Sequence, residues 1–460
     1  MSENRKKYDR LAISDAEQLI FGNAPNPLRC GNGLEIGGGK VFPEINFTLP
    51  AMQITDQTWK EVINQYEDII QTVVNRTVKL NMPGLVVEFE QLPPMSDNPQ
   101  WGAEITRLLK DHLNQLYENT GIPNALRVTV VDLRDADRPP LLRKGTNWEK
   151  TREAFVCAAQ AGADILSIES VGGKEIHDQA LLYGDLNGII VALGSLAVRD
   201  MAFLWNEITK IAEQYHCIPG GDTACGFSNT AMQLAGKGMI PSVLAALDRA
   251  ASAPRSLVAY EHGAVGPSKD CAYEGPIIKA ITGYPISMEG KSSSCAHFSP
   301  LGNIAGAAAD LWSNESVQNI RLLSGSAPEA YLELLAYDCR LFNTASEKGD
   351  SLKLRDWLVE SDLPYSPEAL ILEPQSVIEI AGAIIRQPSG YARTKAAVEC
   401  AFDIIYRYAA EGIIRLNDKE KPWLDRFQAE IKGLVTDEAE AIEQMNGLYG
   451  SLYLPEAYGL

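Results

Sequence analysis

Asp164-Ile-Leu-Ser-Ile-Glu-Ser170 is a short run of apolar and β-branched residues that ends in an acid. It follows an amphipathic stretch, Asn147 to Ala161, and the Gly162 that stops it. A helix closed by a C′ glycine and followed by a strand is one α/β unit. The same alternation continues in both directions. Upstream lie Gly84-Leu-Val-Val-Glu-Phe-Glu90 and Leu126-Arg-Val-Thr-Val-Val-Asp132, separated by a helical stretch from Trp101 to Leu116 that Asn98-Pro99 introduces. Downstream lie Gly188-Ile-Ile-Val-Ala-Leu193, Cys217-Ile-Pro-Gly-Gly-Asp222, Ser256-Leu-Val-Ala-Tyr-Glu261 and Tyr284-Pro-Ile-Ser-Met-Glu289. These seven runs, with Asn319-Ile-Arg-Leu-Leu-Ser324 as an eighth candidate and no dinucleotide fingerprint after the first, predict an α/β fold: a closed (β/α)8 TIM barrel.

The flanks read differently. Trp59, Val62, Ile63, Tyr66, Ile69, Ile70, Val73 and Val74 recur at helical spacing, and Gln375 to Gly447 reads as several helices broken by Pro388, Gly390 and Pro422. The expected division is an N-terminal helical extension over 1–80, a barrel catalytic core over 81–330, and a C-terminal helical region over 331–460 packed on the barrel.

Forty-one Lys and Arg against 60 Asp and Glu leave a formal charge of −19, which repels phosphate backbones and anionic bilayers, so nucleic acid is not an expected partner. The longest apolar stretch, Ile189 to Val198, falls well short of the roughly 20 residues needed to span a bilayer. The first residues lack the apolar core of a signal peptide, and the expected location is the cytoplasm. Eight cysteines without a CxxC pair argue against a disulfide scaffold and a zinc ribbon. They leave buried structural thiols, or a metal site assembled from distant loops.

In a barrel, reactive residues sit at the C-terminal ends of strands. That rule selects Glu169, Asp222 and Cys225, Glu261, His262 and Cys271, and Glu289. Two thiolates and a carboxylate suit zinc, with a fourth position open for catalysis, so Glu169, Cys225 and Cys271 are candidate ligands. Cys295 and His297 follow the last strand and compete for the same role; spacing does not exclude them. Gly37-Gly-Gly-Lys40 lacks the spacing of a phosphate loop and reads as a turn. Gly172-Gly173 and Gly220-Gly221 are either close approaches to a ligand or plain βα turns. His112 reads as a helix residue and His177 as a satisfied loop histidine.

The chain resembles the methanol:corrinoid methyltransferases, the zinc-bearing B subunits of the methanol-specific methyl transfer system of methanogens and acetogens. The resemblance runs nearly end to end. It is carried by Asp15-Ala-Glu-Gln-Leu-Ile-Phe-Gly22, Leu34-Glu-Ile-Gly37, Pro43-Glu-Ile-Asn46, the stretch from Asp164 to Glu175, Gly221-Asp-Thr-Ala-Cys225, Ala253-Pro-Arg-Ser-Leu-Val-Ala-Tyr-Glu261, Gly266-Pro-Ser-Lys-Asp-Cys271, Met288-Glu-Gly-Lys291, Cys295-Ala-His297 and Trp312-Ser-Asn-Glu-Ser316. The pattern departs at Ala224, just before Cys225.

The resemblance implies a barrel with added helices, one zinc at the bottom of a funnel, and a corrinoid protein docked over the mouth. It implies zinc ligands at Glu169, Cys225 and Cys271, which leaves Cys295 and His297 to wall or packing roles. It also implies a homodimer, through the helical additions, within a hetero-oligomer, working in the one-carbon metabolism of an anaerobe. The expected reaction moves the methyl group of methanol to the cob(I)amide of the corrinoid protein, giving methyl-cob(III)amide and water. Zinc would bind and polarise the methanol oxygen. Three anionic ligands temper the zinc charge, so a nearby acid is expected to assist the leaving oxygen, with Asp222, Glu261 and Glu289 as candidates. The alternative keeps barrel and zinc and changes the donor to another small alcohol or a methyl ether.

Overall fold

A computed structural model describes residues 6–49, 52–290, 301–317, 321–322 and 325–460. Its centre is a seven-stranded, wholly parallel sheet. The strands are β3 (Phe42–Thr48), β4 (Leu85–Glu90), β5 (Asn124–Val130), β6 (Ile165–Ile168), β7 (Ile218–Asp222), β8 (Ser287–Glu289) and β9 (Leu311–Val317), in spatial order β7-β6-β5-β4-β3-β9-β8. A hairpin of β1 (Asn23–Cys30) and β2 (Leu34–Gly38) precedes them. The α/β class and the parallel sheet are as expected. Eight paired strands are not: the described residues place seven in the sheet, and Ala264 to Cys271 lies between the edges as an irregular segment, with Val265 N donating to Pro219 O at 2.9 Å.

Two expected strands are helices. Gly188 to Leu193 belongs to a helix that runs from Leu186 to Tyr215, started by Asp185, whose carboxylate accepts from Gly188 N. Ser256 to Glu261 is the last stretch of the helix Ser242–Glu261. Both are buried on every side, so they lack the polar face that marks a helix in sequence, and a short apolar run does not separate the two states. The helix Leu186–Tyr215 is long and apolar enough to cross a membrane, yet 78% of its apolar window is buried inside the protein, as in a core helix.

Two real strands escaped the pattern. Phe42–Thr48, inside the segment expected to be a helical extension, pairs with both β4 and β9 at the centre of the sheet. Leu311–Val317 carries Ser313, Asn314, Glu315 and Ser316, a composition that reads as loop. The interior of the sheet explains it. At the N-terminal ends of the strands, Leu34 and Ile36 of the hairpin pack with Phe42, Val86, Ala125 and Leu311 as an apolar floor. Above this floor the inward positions turn polar. Arg127 Nε meets Glu44 Oε1 at 2.6 Å, Ser287 Oγ donates to Glu44 Oε2 at 2.7 Å, and Thr129 Oγ1 donates to Glu88 Oε1 at 2.7 Å. In β3 the alternation is inverted, with Glu44 and Asn46 on this interior and Ile45 and Phe47 buried in the apolar layer outside it.

Of the eighth candidate, Arg321–Leu322 pairs with Gly325–Ser326 in a separate two-stranded hairpin; its remaining residues lie outside those described. The flanking helices match expectation. Trp59–Lys79 buries Val62, Tyr66, Ile69, Ile70 and Val73, and the chain after Ala327 is helical. Helix Gly390–Ala410 packs along the buried helix Ser242–Glu261 and ties the C-terminal region to the core, with Arg393 Nη1 2.7 Å from Glu261 Oε1.

Candidate metal centre

Glu169 leaves β6 one residue past its end, Cys225 follows β7 by three residues, and Cys271 closes the irregular segment between the sheet edges. The fold brings a carboxylate oxygen of Glu169 and the two sulfurs within 4.8 Å of one another. Glu169 and Cys225 are half-buried, and Cys271 is buried. A polar scaffold fixes the two cysteine loops. Glu274 Oε1 accepts from Ala224 N at 3.1 Å and from Ser256 Oγ at 2.6 Å, Arg249 bridges Glu274 and Asn229, and Asn229 Nδ2 donates to Cys271 O at 3.2 Å.

The donor set suits a soft-to-borderline dication. As bare groups, Glu169 and Cys225 both resist ionisation. Burial raises the Glu169 carboxyl, with Glu90 adding to it against the pull of Lys269. The hydrogen bond from Cys271 lowers the Cys225 thiol, but burial and the nearby Glu169 outweigh it and leave the thiol raised. A bound dication would reverse that balance by stabilising all three anions at once. Cys295 and His297, the competing ligands, lie outside the described residues.

The three acid candidates part company here. Glu289 joins the cluster: Oε1 accepts from Cys271 Sγ at 3.2 Å and Oε2 from the Tyr273 hydroxyl at 2.7 Å. Asp222 is next to it but occupied, taking Thr223 N at 2.7 Å, Ser170 N at 3.3 Å and Arg255 Nη2 at 3.4 Å, so it shapes the turns behind Glu169 and Cys225. Glu261 is not brought to the cluster; it ends a helix and pairs with Arg393.

Lys269 and Glu90 were not singled out in the sequence. Lys269 Nζ stands 2.8 Å from Glu169 Oε1 and 3.0 Å from Glu90 Oε2. The strand-end rule points to Glu90, the last residue of β4, and Lys269 lies two residues before Cys271. A cavity of about 220 Å³ opens beside Glu169, walled by Glu90, Thr129, Asp135, Val171 and Lys174.

Gly172-Gly173 is a turn packed by protein, and Gly220-Gly221 is an irregularity inside β7. Gly173 has φ +84°, and a Cβ there would fall 2.6 Å from Ala192 O; Gly221 has φ +124° beside the Tyr260 hydroxyl. His112 is half-buried on its helix, with Nδ1 3.0 Å from Leu108 O. His177 lies in the helix Lys174–Tyr183 rather than in a loop, buried and held by Asp248, 2.7 Å from Nε2. Burial alone would lower it, but Asp248 and Asp178 prevail and push it up to about 9. A folded value above the unfolded 6.5 means its stabilisation is complete below about pH 6.5 and lost as pH rises towards 9. His177→Gln should therefore lower the urea midpoint near pH 6, and the gap to the parent should close above about pH 9. An equal gap at both ends would contradict a protonated His177.

Comparison with known proteins gives a single picture. The family model described as methanol-cobalamin methyltransferase B subunit matches residues 5–459. The chain is 39% identical over 462 residues to a methanol–corrinoid protein co-methyltransferase of Methanosarcina barkeri (strain Fusaro / DSM 804), covering 99% of both chains. It superposes with a TM-score of 0.94 and 38% identity on a chain of the crystal structure of the methanol:cobalamin methyltransferase complex from Methanosarcina barkeri, covering 99% of this chain and 100% of that one.

Proposed function

The chain belongs to the methanol-cobalamin methyltransferase B subunit family, and from that premise we propose that it transfers the methyl group of methanol to the cob(I)amide of a corrinoid protein. The carbon–oxygen bond breaks, the cobalt electron pair forms the new bond to carbon, and a proton taken up by the leaving oxygen makes water. The convergence of Glu169, Cys225 and Cys271 beside an open cavity carries this reading.

These residues would hold zinc, which when bound supplies an electrophile for the methanol oxygen. Around it, each neighbour has a separate task. Lys269 orients Glu169 and shields it from Glu90. Tyr273 and Glu289 fix Cys271 from behind, and Glu289 is the acid candidate that geometry favours, with Oε1 already in a hydrogen bond at the cluster. Partners that orient a metal ligand typically account for 10–100-fold in affinity. Lys269→Met should accordingly weaken zinc binding by roughly 10–100-fold in a chelator competition. Unchanged affinity would reduce Lys269 to a counter-ion.

The same proposal includes a corrinoid protein over the mouth, a homodimer, and a cytoplasmic place in methanogenesis or acetogenesis. The relative of known structure was solved as a complex, and Leu334, Tyr337 and Leu341 leave an apolar stripe exposed on the helix Ala327–Lys348. It also reads the sheet as a (β/α)8 barrel whose remaining position is the irregular segment Ala264 to Cys271; Arg127 Nη1 reaches across the interior to Pro267 O at 2.6 Å, which supports that placement.

The cavity beside Glu169 is larger than methanol requires, which favours a second reading with a bulkier alcohol or a methyl ether as donor. Anaerobic absorbance with reduced corrinoid protein distinguishes them. Methanol should give the methylcobamide spectrum while ethanol and dimethyl ether do not; conversion by either of the latter alone would move the assignment.

A further inference from the structure

The chain around Glu169 and Cys225 carries Gly172, Gly173, Gly220, Gly221 and Gly226. Four of these have a local reason to lack a side chain. A Cβ would fall 2.4 Å from Asp200 Cβ at Gly172, 2.6 Å from Ala192 O at Gly173 and 2.8 Å from Ser167 Oγ at Gly220, and Gly221 has a left-handed φ of +124°. Gly226 has neither reason. Its φ lies outside the left-handed region, and a Cβ built on it would meet Lys174 Cε at 3.5 Å and Cδ at 3.6 Å, which is ordinary van der Waals contact. No other described atom outside its own turn comes within 4 Å of that position.

The turn is anchored by the next residue. Phe227 is buried against the His177 ring, with centroids 5.1 Å apart, and lies under the Arg255 guanidinium at 4.6 Å. Gly226 is half-buried and walls the cavity of about 220 Å³ together with Glu169. The charged walls of that cavity are paired: Glu90 and Glu169 with Lys269, Asp132 with Arg134, Asp135 with Arg138, and Lys174 with Asp178. Val130, Val131 and Val171 are the walls left for an uncharged alkyl group. A glycine within a helical turn costs conformational entropy relative to alanine, and here the missing side chain leaves one structural consequence, space in the cavity.

We infer that Gly226 is a specificity-determining residue, whose missing side chain keeps open the part of the cavity that receives the alkyl group of an alcohol bound at the metal, and so sets the upper size of the donor. The inference rests on the metal site and donor proposed above and adds the residue that limits donor size. The cavity touches the cluster through Glu169 and through Gly226, which is bonded to Cys225. An alkyl group entering the cavity from the cluster therefore lies beside Gly226. A side chain there would extend toward the stem of Lys174 and narrow the space between them.

Cobalt(II) in place of zinc allows alcohol binding to be read from visible absorption bands without turnover. Gly226→Ala should raise the ratio of the 1-propanol to the methanol dissociation constant by roughly tenfold, the scale on which an apolar pocket discriminates one methylene. Gly226→Val should raise it further and weaken methanol as well. The Ala variant should carry as much metal as the parent, and its urea midpoint should rise, because an alanine that fits without strain stabilises through the unfolded chain. An unchanged ratio, with both alcohols weakened or neither, would overturn the inference. So would a lower midpoint, which would make Gly226 a packing requirement. Parent bands that respond to no alcohol would remove the donor site of the proposed function, and this inference with it.

Discussion

Cys225→Ala and Cys271→Ala should each abolish methyl transfer, with rates falling by roughly 10³-fold or more. A Lewis acid acting on the leaving oxygen contributes several kcal/mol to the transition state, and each ~1.4 kcal/mol is tenfold in rate. Removing one sulfur leaves two ligands, too few for a tetrahedral centre with one open position. Zinc content after gel filtration should fall with the rate. The two variants should also be non-additive, because residues that act as one unit lose nearly everything at the first loss. Retained zinc with normal turnover in either variant would remove that cysteine from the ligand set.

Arg134→Ala should give the largest loss of stability of any single substitution away from the metal centre, on the order of 3–5 kcal/mol. Arg134 is fully buried between two carboxylates, with Nη2 2.7 Å from Asp132 Oδ2 and Nη1 2.8 Å from Asp200 Oδ1. Its removal strands two buried negative charges at once. Both acids touch the turn behind Glu169. Asp132 Oδ2 accepts from Val171 N at 3.2 Å, and Asp200 packs against Gly172, where a Cβ would come within 2.4 Å of it. The urea midpoint should therefore drop, and zinc affinity with it. Arg134→Lys should not restore either, since one ammonium cannot bridge two carboxylates as the guanidinium fork does. A midpoint within error of the parent would mean that water or a proton replaces the guanidinium at little cost.

Legibility in the sequence followed the direction of side chains. Strands β4, β5 and β6 stood out because their apolar residues are dense, and the helix Trp59–Lys79 because one face is wet. Strands β3 and β9 did not, because Glu44, Asn46, Ser313 and Glu315 point polar groups where an ordinary barrel buries aliphatic ones. Glu169 and Cys225 lie just past the ends of β6 and β7, where the strand-end rule looks for reactive residues. Cys271 reaches the cluster by another route than the rule supposes: Ser256 to Glu261, the strand expected before it, is a helix, and the irregular segment after it does the positioning. Lys269, Tyr273 and Glu274 have roles set by contacts across distant parts of the chain, such as Glu274 with Ala224 N, and no local pattern records such contacts.

Zinc K-edge X-ray absorption on the metal-loaded protein is the most direct test of the account. Two sulfur scatterers near 2.3 Å with oxygen at about 2.0–2.2 Å, reduced to one sulfur in Cys271→Ala, is the predicted result. A shell of nitrogen and oxygen alone, or an unchanged sulfur count in that variant, would contradict it.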